Sequence, residues 1–179
     1  MPFDYYHRLS AGRKRIYRKS DRIELLVIPA GLDLAPLVRR LQQALADDDR
    51  LAVQEICSHL ISRLAAGYRV PALAVKVLAS RPKNHAGELH GLYEAGENHT
   101  SLISIWMRTA ELKKVVAFKT FLRTLIHELC HHLDYEMYLL EETFHTEGFY
   151  KRESTLVNEL LTQAGMNAKT NHKSGGNEN

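Results

Sequence analysis

Thr124-Leu125-Ile126-His127-Glu128-Leu129-Cys130-His131-His132-Leu133-Asp134 decides how the rest of the chain is read. Inside it lies His127-Glu128-x-x-His131. Four residues of α-helix turn about 400° and rise about 6 Å, so His127 and His131 fall on nearly one face. Two imidazoles so placed can bind one metal ion. Glu128, beside the first of them, can act on an attacking water without ligating the metal. Such an arrangement makes a hydrolytic zinc site when it stands on a helix. The surrounding sequence supplies the helix. Phe118, Phe121, Leu122, Leu125, Leu129 and Leu133 recur at three and four residues, with Ile126 flanking. That is the buried stripe of an amphipathic helix, and neither Pro nor Gly interrupts Val115 to Leu140.

Two histidines do not complete a catalytic zinc site, which usually has three protein ligands and an open position. The residues that follow offer Asp134, Glu136, Glu141, Glu142, His145, Glu147 and Glu153. Asp134 is close for a ligand and better suited to support a histidine through its other ring nitrogen. His145 stands fourteen residues past His131. That is enough chain to leave the helix, turn and return a side chain. A neutral imidazole suits zinc, which favours His145; carboxylate ligation by Glu153, then Glu147, is the alternative. Cys130 and His132 point away from the pair by helix phase. Tyr150, His132 and Tyr135 are the candidates for stabilising an oxyanion.

Outward from the motif, the chain reads as alternating elements. Ile23–Ile28 is apolar and β-branched and stops at Pro29, which predicts a strand. Helices are expected from Asp33 to about Ala46 and from about Arg50 to Ala66, the second capped within Asp47-Asp48-Asp49. A further strand is expected over residues 72–78. Leu89–Tyr93 and Leu102–Met107 predict a hairpin, with Gly96 and Asn98 in its connection. A last helix is expected from about Phe149 to Gln163. The divisions are a basic N-terminal arm at residues 1–20, one domain at 21–165 and a disordered polar tail at 166–179.

Composition agrees with a single globular domain: 179 residues, 45% hydrophobic and 25% charged. The N-terminus carries no apolar signal-peptide core and no apolar run is long enough to span a bilayer, so a cytoplasmic location and no membrane partner are expected. Cys57 and Cys130 do not make a disulfide framework and are expected as reduced, buried thiols. The net charge of +3 is mild, but Arg8, Arg13, Lys14, Arg15, Arg18, Lys19 and Arg22 crowd the first 22 residues. A nucleic-acid partner for that arm is a second reading. A non-proteolytic zinc-binding module is a third.

His127-Glu128-Leu129-Cys130-His131 with a third histidine after a turn, preceded by Gly91-Leu92-Tyr93 and an apolar strand, resembles the SprT-like zinc metallopeptidases of the zincin superfamily. The resemblance covers about Pro71 to Leu160. It implies an α+β zincin-like fold: a small mixed or antiparallel sheet, an active-site helix and flanking helices. It also implies one zinc ion held by His127, His131 and His145, Glu128 as catalytic base, and a protein or peptide substrate laid along Leu102–Met107 as the sheet edge. Two departures are visible. The family commonly has His-Gly at the third ligand, where this chain has His145-Thr146-Glu147-Gly148, and no cysteine follows Cys130 to build the zinc ribbon many members carry.

Overall fold

A computed structural model describes residues 3–84, 87–96 and 99–167. A 3-10 turn, Asp4–Arg8, leads into helix α1 (Ala11–Asp21), followed by α2 (Ala35–Ala46) and α3 (Arg50–Tyr68). Strand β1 (Ala74–Ser80) comes next, then a short ribbon of β2 (Lys83–Asn84) and β3 (Gly87–Glu88). Strands β4 (Gly91–Glu94) and β5 (Leu102–Arg108) form the hairpin, and helices α4 (Phe118–Glu136) and α5 (Glu147–Gln163) close the chain. The fold is mixed α+β, with a three-stranded mixed sheet in the order β1-β5-β4. Among the described residues no helix is long and apolar enough to cross a membrane.

Local chemistry sets most of the boundaries. The Asp49 carboxylate accepts from the Leu51 and Ala52 amides and starts α3, and the Thr146 hydroxyl accepts from Phe149 N–H and starts α5. Asp33 accepts from Ala35 N–H at the head of α2. In α4 the expected stripe is the buried face: Phe121, Leu122, Leu125, Ile126, Leu129 and Leu133 are each at most 1% exposed. Removing one such leucine to alanine costs about 2–5 kcal/mol. That burial fixes the rotation of α4 and so the direction in which its opposite face looks.

Three expectations are corrected. Ile23–Ile28 forms no strand. Its backbone groups are taken by side chains instead: Ile28 N–H donates to Glu159, the Val27 carbonyl accepts from the Tyr68 hydroxyl, and the Ile23 carbonyl accepts from Arg152. β-Propensity reports a fit to a half-buried surface, and here no strand partner is offered. Second, β5 is not the sheet edge. It pairs parallel with β1 and antiparallel with β4, so β4 holds the edge position beside α4. Its burial shows this, since Ile103, Ile105 and Met107 are covered and Ser104 and Trp106 on the other face are nearly so. Third, the stretch expected as a basic arm is largely helical. Ser10 accepts from the Arg13 amide and caps α1, whose Tyr17 and Ser20 are buried. The hairpin connection at Asn98 and most of the expected tail, residues 168–179, lie outside the described residues.

Candidate metal centre

His127 and His131 project from one face of α4, as their spacing requires, with Nε2 atoms 3.3 Å apart. His145 arrives from the connection between α4 and α5. Its Nε2 stands 3.0 Å from that of His127 and 3.1 Å from that of His131. Three ring nitrogens thus close a nearly equilateral triangle. The three histidines lie close enough to hold one metal ion.

The other ring nitrogens explain why these three look inward. His127 Nδ1 lies 2.8 Å from Glu153 Oε2, and a carboxylate can only accept. His127 therefore carries its proton on Nδ1 and presents a lone pair at Nε2. His131 Nδ1 lies 2.8 Å from the Thr143 hydroxyl, which donates its own proton to Asp134 Oδ2 at 2.8 Å. With that proton committed, the Thr143 oxygen accepts from His131, and the second Nε2 lone pair is also free. Asp134 is held in turn by Arg152 at 2.7 Å, and Arg152 also donates to the Ser20 and Ile23 carbonyls and the Ser20 hydroxyl. Both members of this pair are at most 1% exposed. Burial, then the neighbouring imidazoles, depress the His131 pKa to about 3, and partial burial, then His127, lower that of the more exposed His145. Both shifts favour the neutral ring, the form a metal requires.

Glu128 lies next to His127 and is buried at 6% exposure. Burial pushes its carboxyl up to about 7, against the lowering effect of His127 and of a hydrogen bond from the Tyr93 backbone. Its place depends on Gly91 of β4. A Cβ at that position would come within 2.5 Å of Glu128 Oε1 and 2.8 Å of its Cγ. Phe149, fully buried, packs on all three imidazoles with ring centroids 4.8–5.2 Å away. Tyr150 stacks on His145 and Tyr93 on His131. The site opens on a cleft of about 610 Å³ that β4 and the start of α4 line together.

The loop bearing His145 is held from the far end of the chain. The Tyr5 hydroxyl donates to the His145 carbonyl at 3.0 Å. Arg13 grips Glu142 with Nε at 2.7 Å and with Nη2, and its guanidinium lies over the Phe144 ring. Lys19 donates to the Tyr138 and Leu139 carbonyls. Asp21 accepts from the Gly148 amide, and a Cβ on Gly148 would strike the Asp21 carbonyl oxygen at 2.3 Å. Only glycine permits that approach.

The remaining expectations sort clearly. Glu153 stands behind His127 as its hydrogen-bond partner, and Glu147 faces Lys151 at 3.2 Å in the first turn of α5. Asp134 supports His131, though through Thr143. Cys130 and Cys57 are free and buried. His132 is buried and engaged at both nitrogens, by the Pro71 carbonyl and the Tyr93 hydroxyl, which removes it as an oxyanion donor. Of Tyr135 and Tyr150, Tyr135 lines the cleft. The sequence gives no local mark for the roles of Thr143, Phe149, Arg152 and Tyr5. Gly91, a glycine inside a strand pattern, gave the one usable signal, since it marks close approach by another group.

No protein-family model, no curated protein and no solved structure matches the chain.

Proposed function

We propose that the protein is a zinc-dependent peptidase with a zincin-like site of SprT type. The observation that carries this is the triangle of ring nitrogens beside Glu128. Ligand nitrogens 2.0–2.1 Å from a tetrahedral zinc stand about 3.3 Å apart. The three edges here are 3.0, 3.1 and 3.3 Å. Three neutral imidazoles suit zinc and leave a fourth position for water or substrate, the pattern of catalytic sites. When bound, the ion would supply acidification of a water and polarisation of a carbonyl.

The chain's own residues then have definite tasks. His127, His131 and His145 hold the ion. Glu128 takes a proton from the attacking water and passes it to the leaving amine. Glu153 and Thr143 keep the first two rings in their ligating tautomers. Phe149 closes the inner side of the site to water. Tyr135, on the cleft wall, is the donor for the oxygen of the scissile carbonyl. The open edge of β4 offers backbone groups along which an extended peptide can align.

The test is metal content with turnover. Purified protein should hold about one zinc per chain, and His127→Ala, His131→Ala and His145→Ala should each lose it. Glu128→Gln should keep zinc and abolish cleavage of a peptide library. A wild-type protein that carries zinc and cleaves nothing in such a library would end the peptidase reading.

A further inference from the structure

Among the described residues lining the cleft, Glu128 is the only carboxylate and Arg123 the only permanent cation. Arg123 precedes His127 by four residues on α4, about 6 Å along the helix axis on the same face. Its Nη1 donates to Glu153 Oε1 at 2.6 Å and to the Ser154 hydroxyl at 3.2 Å, and these bonds orient the guanidinium. Nε and Nη2 bond nothing among the described residues, and the side chain is 48% exposed. Glu153 is 4% exposed at its side chain and is shared with His127, so it lies behind the guanidinium and leaves the outer edge of the fork open. A guanidinium binds a carboxylate through two parallel N–H groups. Thr120 and Thr124 line the same stretch. The Thr124 hydroxyl turns back to the Thr120 carbonyl, whereas the Thr120 hydroxyl has no bond among the described residues.

We propose that Arg123, with Thr120 beside it, is a subsite that receives a carboxylate of the peptide, from an acidic side chain or from a C-terminus. The proposal rests on the peptidase reading and names the class of peptide that the site takes. Arg123 carries out two tasks from one position: Nη1 steadies the carboxylate behind His127, and the opposite edge selects substrate.

The test uses two fluorescein-labelled series of ten-residue peptides. One carries Glu or Gln at successive positions, and the other ends in a free or an amidated C-terminus. Cleavage is followed as kcat/KM for the zinc-loaded wild type, Arg123→Gln and Arg123→Lys. Binding is followed by anisotropy for zinc-loaded Glu128→Gln, alone and combined with Arg123→Gln, and metal content is checked throughout. The carboxylate form should be favoured about 10- to 100-fold in both readouts, the range of a charge-assisted hydrogen bond. Arg123→Gln should bring both ratios near one, and Arg123→Lys should keep part of them. Each ratio is taken within one protein, so a general loss of activity does not imitate the effect. Preference in the first series alone assigns an acidic side chain, and in the second alone a C-terminus. Cleavage with no preference for a carboxylate, or with a ratio unchanged in Arg123→Gln, overturns the subsite and spares the peptidase reading. Carboxylate-dependent binding without cleavage does the reverse. No binding and no cleavage in either series overturns both.

Discussion

His127 and His131 stand on a 19-residue helix whose other face is buried in the core. Their separation follows from helix geometry, and their rotation follows from Phe121, Leu125, Leu129 and Leu133. His145 stands on the connection between α4 and α5, where Thr143 donates to Asp134 and Phe144 is buried against Tyr17. Tyr5 reaches its carbonyl from the first 21 residues, and Arg13, Lys19 and Asp21 hold the chain on either side of it. One part of the candidate ligand set is thus fixed by the core face of α4, and the other depends as well on polar contacts between distant parts of the chain. Hydrophobic burial is strong and non-directional, whereas a hydrogen bond at the surface contributes about 0.5–1.5 kcal/mol. The two parts should therefore fail differently.

The largest effect is expected where the two parts meet. Arg152 joins Asp134 of α4 to Ser20 and Ile23 of the N-terminal stretch. Arg152→Met would leave Asp134 buried without its partner, a loss of about 3–5 kcal/mol. Denaturant unfolding should show it, together with a fall in Tm of roughly 6–20 °C. A change under 1 kcal/mol would mean that the ends are not joined through this residue. Gly91→Ala acts on neither part of the ligand set. The new methyl displaces Glu128, so turnover should fall about 100-fold, the lower end of what general-base catalysis contributes, while zinc stays bound. Loss of zinc in this variant would contradict the separation of base from ligands.

Glu153→Gln and Thr143→Val test the support behind the helix pair. Each should weaken metal binding about 10- to 100-fold, read by competition with a chelating dye. Tyr5→Phe removes one bond to the loop and should weaken metal binding only about 3- to 10-fold, with Tm almost unchanged. The cobalt-substituted protein should then show a change in its visible d–d bands, because one ligand has become looser. A Tyr5→Phe protein with wild-type affinity and spectrum would place the control of His145 elsewhere.

The same division explains what could be read from the sequence. The helix pair and its buried face were legible because both depend on periodicities of a few residues. The hairpin, α2, α3 and α5 were legible for that reason, with boundaries shifted by a few positions. Ile23–Ile28 reads as a strand because its composition suits one, whereas the side chains that occupy its backbone, Glu159 and Arg152, lie some 130 residues away. β5 reads as an edge in the sequence because parallel pairing with β1 leaves no local mark. His145 could be nominated by its chemistry, but nothing near it indicates Tyr5. The basic residues of α1 read as a charge cluster of the kind that meets a polyanion, and two of them, Arg13 and Lys19, are engaged with the loop carrying His145.

The 140 residues between Tyr5 and His145 also bear on how the protein is made. Domains begin to organise from the N-terminus during synthesis, at about 5–20 residues per second. The first residues to leave the ribosome must wait roughly 7–28 s, at that rate, for the segment they secure. His127 and His131 precede His145 by only 18 and 14 residues, so the three histidines emerge almost together, long after Tyr5. The triangle of histidines can therefore close on its Tyr5 contact only after the earliest residues have waited for a late segment of the chain.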